Sequence, residues 1–196
     1  MGYALRDHRR YTYADYRSWP EDVRYELIDG AAFLMAPAPS LDHQTLAFEV
    51  GRQLGNALEG RPCRVLLAPV DVLLASDDRA ADAVDTVVQP DVLVVCDPAK
   101  LTPRGVRGAP DWVMEVISPA SASHDQTVKL AAYERAGVRE YWLAHPGDRV
   151  LTIYRHDGTA YGRPKIMELV GETASEVLPG VTVRWEPVLA RLLPQF

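Results

Sequence analysis

The sequence has little of several features that define whole classes of protein. Only two of its 196 residues are cysteine, and the longest apolar runs, such as residues 92–96, are far too short to span a bilayer. Lysine and arginine total 21 against 27 aspartates and glutamates, for a formal net charge of −6. We therefore expect neither a disulfide scaffold nor a zinc site nor a membrane span, and the acidic balance argues against a module that simply coats nucleic acid.

Localisation is predicted from the same features. The opening residues, MGYALRDHRR, contain no apolar stretch, so we expect no secretory signal and a cytoplasmic location. Cys63 and Cys96 lie in apolar surroundings, which predicts two buried free thiols in a reducing compartment. The motifs of serine hydrolases, zinc proteases and phosphate-binding NTPase loops (G-x-S-x-G, H-E-x-x-H and G-x-x-x-x-G-K-[ST]) do not occur.

The order of predicted elements indicates one α/β (α+β) domain with a mixed β-sheet flanked by helices. Asp29-Gly30 between two apolar runs predicts a hairpin, because a primed turn needs positive φ at both positions. Ser40 is the expected N-cap of a helix over 41–58, and Ser123 with Gln126 predicts a capping box for a helix ending near Gly137. A short helix is expected within 11–19, exposed loops at 76–85 and 97–109, and strands at 64–68, 70–75, 91–96, 111–117, 140–146 and 149–156.

Two carboxylates stand out because of the strands that carry them. Asp91 opens the apolar run VLVVC, and Glu115 lies inside WVMEVI. A buried carboxylate is costly unless it is paired or binds a metal. For Asp91 the alternative to a metal role is a capping residue at the start of a strand, and for Glu115 it is a buried ion pair with a lysine or arginine.

Lys129 is the third candidate, 14 residues after Glu115 in the predicted helix 125–136. Asp125, Lys129 and Tyr133 are four residues apart and share one helix face, so Lys129 borders the buried stripe and can reach toward the sheet. Two carboxylates and a lysine suit metal-assisted hydrolysis of a phosphodiester, because Mg²⁺ (or Mn²⁺) prefers oxygen ligands and lysine can offset developing negative charge. The alternative is an ion pair or a solvated lysine.

Taken together, several segments resemble the Uma-two family of restriction-endonuclease-like proteins, within the PD-(D/E)XK nuclease superfamily. The resemblance extends over most of the chain, roughly from residue 11 to the last strands. The matching segments are YELIDG (25–30), PAPSLDHQ (37–44), QPDVLVV (89–95), PDWVMEVISPAS (110–121), D-x-x-x-K-x-x-x-Y (125–133) and AGVREYWLAHP (136–146).

The resemblance implies a restriction-endonuclease-like fold and metal-dependent DNA cleavage. It implies that Asp91 and Glu115 bind the metal, helped by a backbone carbonyl next to Glu115. Ile117 stands where the superfamily usually has its in-strand lysine, and the following helix would supply Lys129 instead to orient the attacking water. Glu26, before the Asp-Gly turn, would be an auxiliary contact to metal or water, although it is equally an edge-strand charge.

The resulting hypothesis is a single domain over 1–196, with an N-terminal helix and hairpin (1–39), a nuclease-like core (40–146) and a β-rich C-terminal extension (147–196). DNA is the expected substrate, and a homodimer would suit cutting of two strands. The alternative is a catalytically inactive interaction or scaffold domain that retains the fold.

His43 and Tyr133 are weaker candidates for a site role, since a cap or hydrogen-bonding residue and a core ring, respectively, explain them. The candidates for phosphate contact are the basic residues of the N-terminus and of the 97–109 loop, namely Arg6, Arg9, Arg10, Lys100, Arg104 and Arg107.

Overall fold

A computed structural model describes residues 9–20, 23–35, 39–75 and 79–193. Within these residues the chain forms two six-stranded sheets, a two-stranded ribbon and several helices. The helices are α1 (Tyr13–Tyr16), α2 (Leu41–Ala57), α3 (Leu130–Ala136) and α4 (Glu186–Leu189), with 3-10 turns at Ala81–Ala83 and Pro98–Lys100 and a π-helix at His124–Lys129.

The main sheet contains six strands: β3 (Arg64–Leu67), β6 (Val92–Val95), β9 (Trp112–Val116), β10 (Glu140–His145), β11 (Val150–Arg155) and β12 (Lys165–Glu168). Their order across the sheet is β12-β11-β10-β9-β6-β3. Only β9 and β10 run parallel in it, and the other neighbours are antiparallel.

The strands of the second sheet are β1 (Tyr25–Ile28), β2 (Ala31–Leu34), β4 (Val72–Leu73), β5 (Val87–Val88), β7 (Leu101–Thr102) and β8 (Gly105–Arg107), while β13 (Glu172–Ala174) and β14 (Thr182–Arg184) form the ribbon. The second sheet has the order β2-β1-β5-β4-β8-β7 and includes the N-terminal hairpin. Asp29 and Gly30 at the tip of that hairpin both have positive φ (50° and 76°), as the sequence predicts.

The mixed α+β fold class is confirmed, and alternation along the strands explains how the main sheet is covered. In β9, Trp112, Met114 and Val116 belong to an apolar cluster that includes the α2 stripe of Leu46, Val50, Leu54 and Leu58. Val113, between them, belongs to a second cluster that contains Tyr133 of α3 and strands of the second sheet. Glu115 is two residues from Val113 and therefore lies on the same face of the sheet, with its side chain directed toward α3.

Two local predictions are wrong. Residues 97–109 are not simply a loop, since β7 and β8 form a short hairpin there. Ser123 makes no capping bond because it already has helical dihedral angles, whereas the Ser118 and Ser121 hydroxyls bond to each other's backbone N–H at the turn before the helix. Residues 76–78 of the predicted acidic loop lie outside the described residues.

The prediction of two free thiols is also wrong, because Cys63 and Cys96 form a disulfide. The antiparallel register of β3 and β6 pairs Arg64 with Val95, so the two cysteines face each other one position beyond the ladder. Thirty-three residues separate them in sequence, and only the strand register brings them together. Their number therefore does not indicate a reducing compartment. In the described part of the chain, no helix is long and apolar enough to cross a membrane.

Candidate active site

Asp91 and Glu115 are brought together by the antiparallel pairing of β6 with β9. The register places Val92 opposite Met114, so Asp91 lies opposite Glu115. The backbone N–H of Asp91 donates to Glu115 Oε2 at 3.3 Å, and the N–H of Val116 donates to Asp91 Oδ2 at 2.8 Å. These reciprocal bonds hold the two carboxylates side by side at one place in the main sheet.

Lys129 joins this pair from the π-helix that leads into α3. Its Nζ atom lies 2.6 Å from Glu115 Oε1, 2.9 Å from Glu26 Oε1 and 3.8 Å from Asp125 Oδ1. Only 4% of the lysine side chain is exposed, so little solvent screens these contacts. The structure thus brings together all four residues singled out as a site, Asp91, Glu115, Lys129 and Glu26.

The π-helix is the local feature that sets the position of Lys129. Such segments are rare, are usually about one turn long and often occur at functional sites. Here the π geometry ends at Lys129 and regular α-helix follows, so Tyr133 on the next turn also reaches Glu115, donating from its hydroxyl to Oε1 at 2.8 Å. The helix face predicted from the four-residue spacing is therefore the face that meets β9.

The carboxylate of Glu115 uses its two oxygens differently. Oε1 receives the ammonium of Lys129 and the hydroxyl of Tyr133, whereas Oε2 faces Asp91. Asp91 Oδ2 also lies 3.1 Å from Nε2 of His43, which projects from the first turns of α2. Among the described residues, nothing hydrogen-bonds to Asp91 Oδ1. Oε2 of Glu115, on the side away from the lysine, lies next to the carboxylate of Asp91. The two groups together present a pair of carboxylates to a cation.

Glu26 belongs to β1, so Lys129 bridges the second sheet to the main sheet. The backbone N–H of Gln89 donates to Glu26 Oε1 at 2.8 Å, and Nε2 of His124 lies 3.2 Å from Oε2. Burial opposes ionisation of Glu26, but the Lys129 ammonium and these hydrogen bonds lower its pKa to about 2. Glu26 is therefore an anion that anchors the lysine.

The protonation state of Lys129 follows from its neighbours. Burial by itself lowers a lysine pKa, but the carboxylates of Glu115, Glu26 and Asp125 outweigh it and raise the pKa of Lys129 well above its usual value. Burial raises the pKa of Glu115, and the nearby carboxylates add to this effect while Lys129 opposes it. Lys129 is accordingly a fixed cation in a region with more carboxylates than cations.

These side chains line a cavity of about 330 Å³. Its charged walls are four carboxylates, Glu26, Asp91, Glu115 and Asp125, against two cations, Lys129 and Arg24. Sequence reasoning missed His124 and Gln89 as parts of this cluster: His124 lies outside the matching segments, and Gln89 opens the segment QPDVLVV, in which only Asp91 is assigned a role. His43 and Tyr133, the two weaker candidates for a site role, both contact the central carboxylates.

The donor chemistry of the cavity suits a hard divalent cation. Within the described ranges, no group of three or more His, Cys, Asp or Glu side chains is arranged to hold a metal ion. Asp91 and Glu115 offer a pair of carboxylates instead, and Mg²⁺ in enzymes is commonly held by one or two carboxylates together with waters and substrate phosphates. The excess of negative charge in the cavity also favours a cation. The residues present therefore fit Mg²⁺ or Mn²⁺.

Five of the six basic residues proposed for phosphate contact lie within the described residues, and Arg6 lies outside them. Arg10 donates to the carbonyl of Asp29 at 3.1 Å, and Lys100 to that of Ala109 at 2.8 Å. Arg107 donates to the carbonyl of Arg79, and Arg9 pairs with Asp15. These four are engaged with the protein itself, whereas Arg104 is exposed at the β7–β8 turn.

The fold itself matches that of a solved nuclease-like structure. A crystal structure described as that of a "putative nuclease belonging to DUF820", from Anabaena variabilis, superposes with a TM-score of 0.71 at 16% sequence identity. The match covers 91% of this chain and 97% of the other. The protein thus has the α+β architecture of that structure.

The family follows from the sequence as a whole. Residues 13–187 match the family model "Uma2: Putative restriction endonuclease", so the chain belongs to the Uma2 family. The resemblance inferred from the sequence segments is therefore confirmed. No curated protein matches this chain.

Proposed function

We propose that the protein is a Mg²⁺- or Mn²⁺-dependent DNA endonuclease with its active site in the cavity between the two sheets. The observation that carries the proposal is the convergence of Asp91, Glu115 and Lys129, from a strand start, a strand interior and a helix, on one cavity. The family description "Putative restriction endonuclease" supports hydrolysis of nucleic acid, and the description of the structural neighbour, a "putative nuclease", agrees.

In this proposal Asp91 and Glu115 hold the metal, with the backbone carbonyl next to Glu115 as a further oxygen donor. When bound, the metal supplies a Lewis acid that polarises the phosphodiester and activates water. Glu115 suits this role because Oε1 is occupied by Lys129 and Tyr133, which leaves Oε2 on the side of Asp91. His43, bonded to Asp91 Oδ2, orients that carboxylate.

Lys129 acts as a cation in this mechanism. Its raised pKa keeps it protonated at neutral pH, so it does not abstract a proton from the attacking water. Its Nζ hydrogens instead orient the water and offset the negative charge that develops on the phosphate. Glu26 and Asp125 position the ammonium, and Glu26 is therefore a positioning residue rather than one that touches substrate.

The test is cleavage of plasmid DNA with Mg²⁺ or Mn²⁺, together with Mn²⁺ titration by calorimetry. Asp91→Asn keeps an oxygen for the Val116 N–H but removes the charge, so we expect loss of Mn²⁺ binding and a rate lower by roughly 10²-fold or more. Asp157→Asn, in an exposed hairpin, is the matched control and should leave both unchanged. Cleavage and Mn²⁺ binding that are equal in wild type and Asp91→Asn would refute the proposal.

A catalytically inactive interaction domain is the second candidate, and the ion network itself favours it. Lys129 already pairs with Glu115 at 2.6 Å, which satisfies both charges without a metal. This alternative predicts no Mn²⁺ heat in the calorimeter and no cleavage by wild type. A homodimer would place two sites on one duplex and suit the cutting of both strands, so the nuclease proposal includes a homodimer, which sedimentation at assay concentrations will test.

A further inference from the structure

A second cavity of about 470 Å³ adjoins the candidate active site. Pro69 and Gln89 line both cavities, so the two cavities share part of their walls. Its charged walls are Arg64, Arg104 and Asp71. Whereas the first cavity has an excess of carboxylates, this one has an excess of guanidinium groups.

The two arginines come from different parts of the fold. Arg64 begins β3, the edge strand of the main sheet, and Arg104 lies in the turn between β7 and β8 at the edge of the second sheet. Both are exposed, and among the described residues neither forms a salt bridge. Elsewhere on the surface, Arg17 and Arg135 are paired with Asp82 and Asp29. Arg64 and Arg104 thus line the cavity without a salt bridge to any described carboxylate.

The one carboxylate in this cavity is held by other groups. Asp71 Oδ1 accepts hydrogen bonds from the hydroxyl of Tyr16 and from Nε2 of Gln89, each at 2.9 Å. The backbone carbonyl of Asp71 accepts the N–H of Val106 at 2.8 Å, which fixes the β7–β8 hairpin and hence the turn that bears Arg104. Gln89 also bonds to Glu26 through its backbone, so the hydrogen-bond network continues from one cavity into the other.

We propose that the second cavity binds a backbone phosphate of the DNA strand next to the phosphate that is cleaved, through Arg64 and Arg104. This inference rests on the proposed nuclease function. Guanidinium groups match the geometry of phosphate oxygens and bind them in a bidentate manner. A strand crossing Pro69 and Gln89 would pass from an arginine-lined cavity to the carboxylate-lined one, where a metal offsets the negative charge. The contact explains how an acidic protein holds DNA through a local basic surface.

The experiment measures binding of a labelled DNA duplex by fluorescence anisotropy over a range of salt concentrations, with EDTA and separately with Ca²⁺. Each phosphate neutralised on duplex DNA contributes about 0.9 to the slope of log K against log salt. Arg64→Gln/Arg104→Gln removes the contact to one phosphate, so it should reduce the slope by about 0.9 and weaken binding. The matched control is Arg163→Gln/Lys165→Gln, two exposed cations just before and at the start of β12, at the opposite edge of the main sheet, and it should keep the wild-type slope.

The cleavage assay separates this inference from the function on which it rests. We expect the double variant to raise KM several-fold with little change in kcat, the pattern of lost ground-state binding. If wild type cleaves DNA and the double variant has the same slope and KM, the phosphate subsite is wrong and the nuclease function stands. If wild type neither binds nor cleaves DNA, both the phosphate subsite and the nuclease function are refuted. If inorganic phosphate binds to the wild type but not to the double variant, while both proteins bind DNA equally, the second cavity is a site for free anions and the proposal is wrong.

Discussion

The ammonium of Lys129 lies 2.6 Å from Oε1 of Glu115, and this contact joins the helix after β9 to the interior of β9 itself. Both side chains are at most 4% exposed. The same ammonium also contacts Glu26 of the second sheet, so one cation links three elements. The pair therefore has a structural as well as a proposed chemical role, and the two are separable by experiment.

Lys129→Met should destabilise the fold strongly. Removing one partner of a buried ion pair leaves an uncompensated charge, which typically costs about 3–5 kcal/mol. Glu26 keeps its bonds from Gln89 and His124, so the uncompensated charge is mainly that of Glu115. Lys129→Met/Glu115→Gln should recover a large part of the loss in urea unfolding. Equal midpoints for wild type and Lys129→Met would show that the pair contributes nothing to stability.

Tyr133→Phe tests the hydrogen bond to Glu115 in isolation. The hydroxyl donates to Oε1 at 2.8 Å in a buried setting, and hydrogen bonds to charged groups contribute about 1.5–3 kcal/mol. We expect a loss of that size in the free energy of unfolding. Tyr154→Phe is the matched control, because the Tyr154 hydroxyl bonds to none of the described residues. A Tyr133→Phe protein as stable as Tyr154→Phe would contradict the assignment.

Acid stability should depend on Glu26. Its pKa is lowered from 4.5 to about 2 in the folded chain, so the ionised form favours folding. The contribution is fully present above about pH 4.5 and is lost as the pH falls through about 2, and it is on the order of 3 kcal/mol. Wild type should therefore lose more stability between pH 5 and pH 2 than Glu26→Gln does. Parallel stability curves for the two proteins would count against this.

Gly105→Ala should disrupt the β7–β8 hairpin and, with it, the position of Arg104. Gly105 has φ of +140°, and an added Cβ would lie 2.2 Å from the carbonyl oxygen of Asp71. Gly158 also has positive φ (+104°) but has no atom within 4 Å of such a Cβ. Gly158→Ala thus reports the backbone strain alone, and we expect Gly105→Ala to cost about 1–3 kcal/mol more, as overpacking does. Similar losses for both variants, measured by thermal unfolding, would exclude the clash.

Local patterns were sufficient for the elements whose determinants are close in sequence. The Asp29-Gly30 turn, the Ser40 cap and the α2 stripe depend on neighbouring residues, and the structure contains all three. The predicted capping box at Ser123 fails because the helix begins earlier, at a turn made by Ser118 and Ser121. The hairpin within residues 97–109 cannot be predicted from the sequence, because strands of two or three residues leave no periodic pattern.

Sequence segments and the order of predicted elements are enough to predict the family and the fold class. Asp91, Glu115 and Lys129 are marked by their residue types in apolar strands or beside a buried stripe, whereas Glu26 is marked only by the family resemblance. The contact of Glu26 with Lys129 across two sheets, the contacts of Glu26 with His124 and Gln89, and the Cys63–Cys96 disulfide are established only in the folded chain. These contacts depend on strand register and sheet packing between residues 33 to 103 positions apart, which no local pattern encodes.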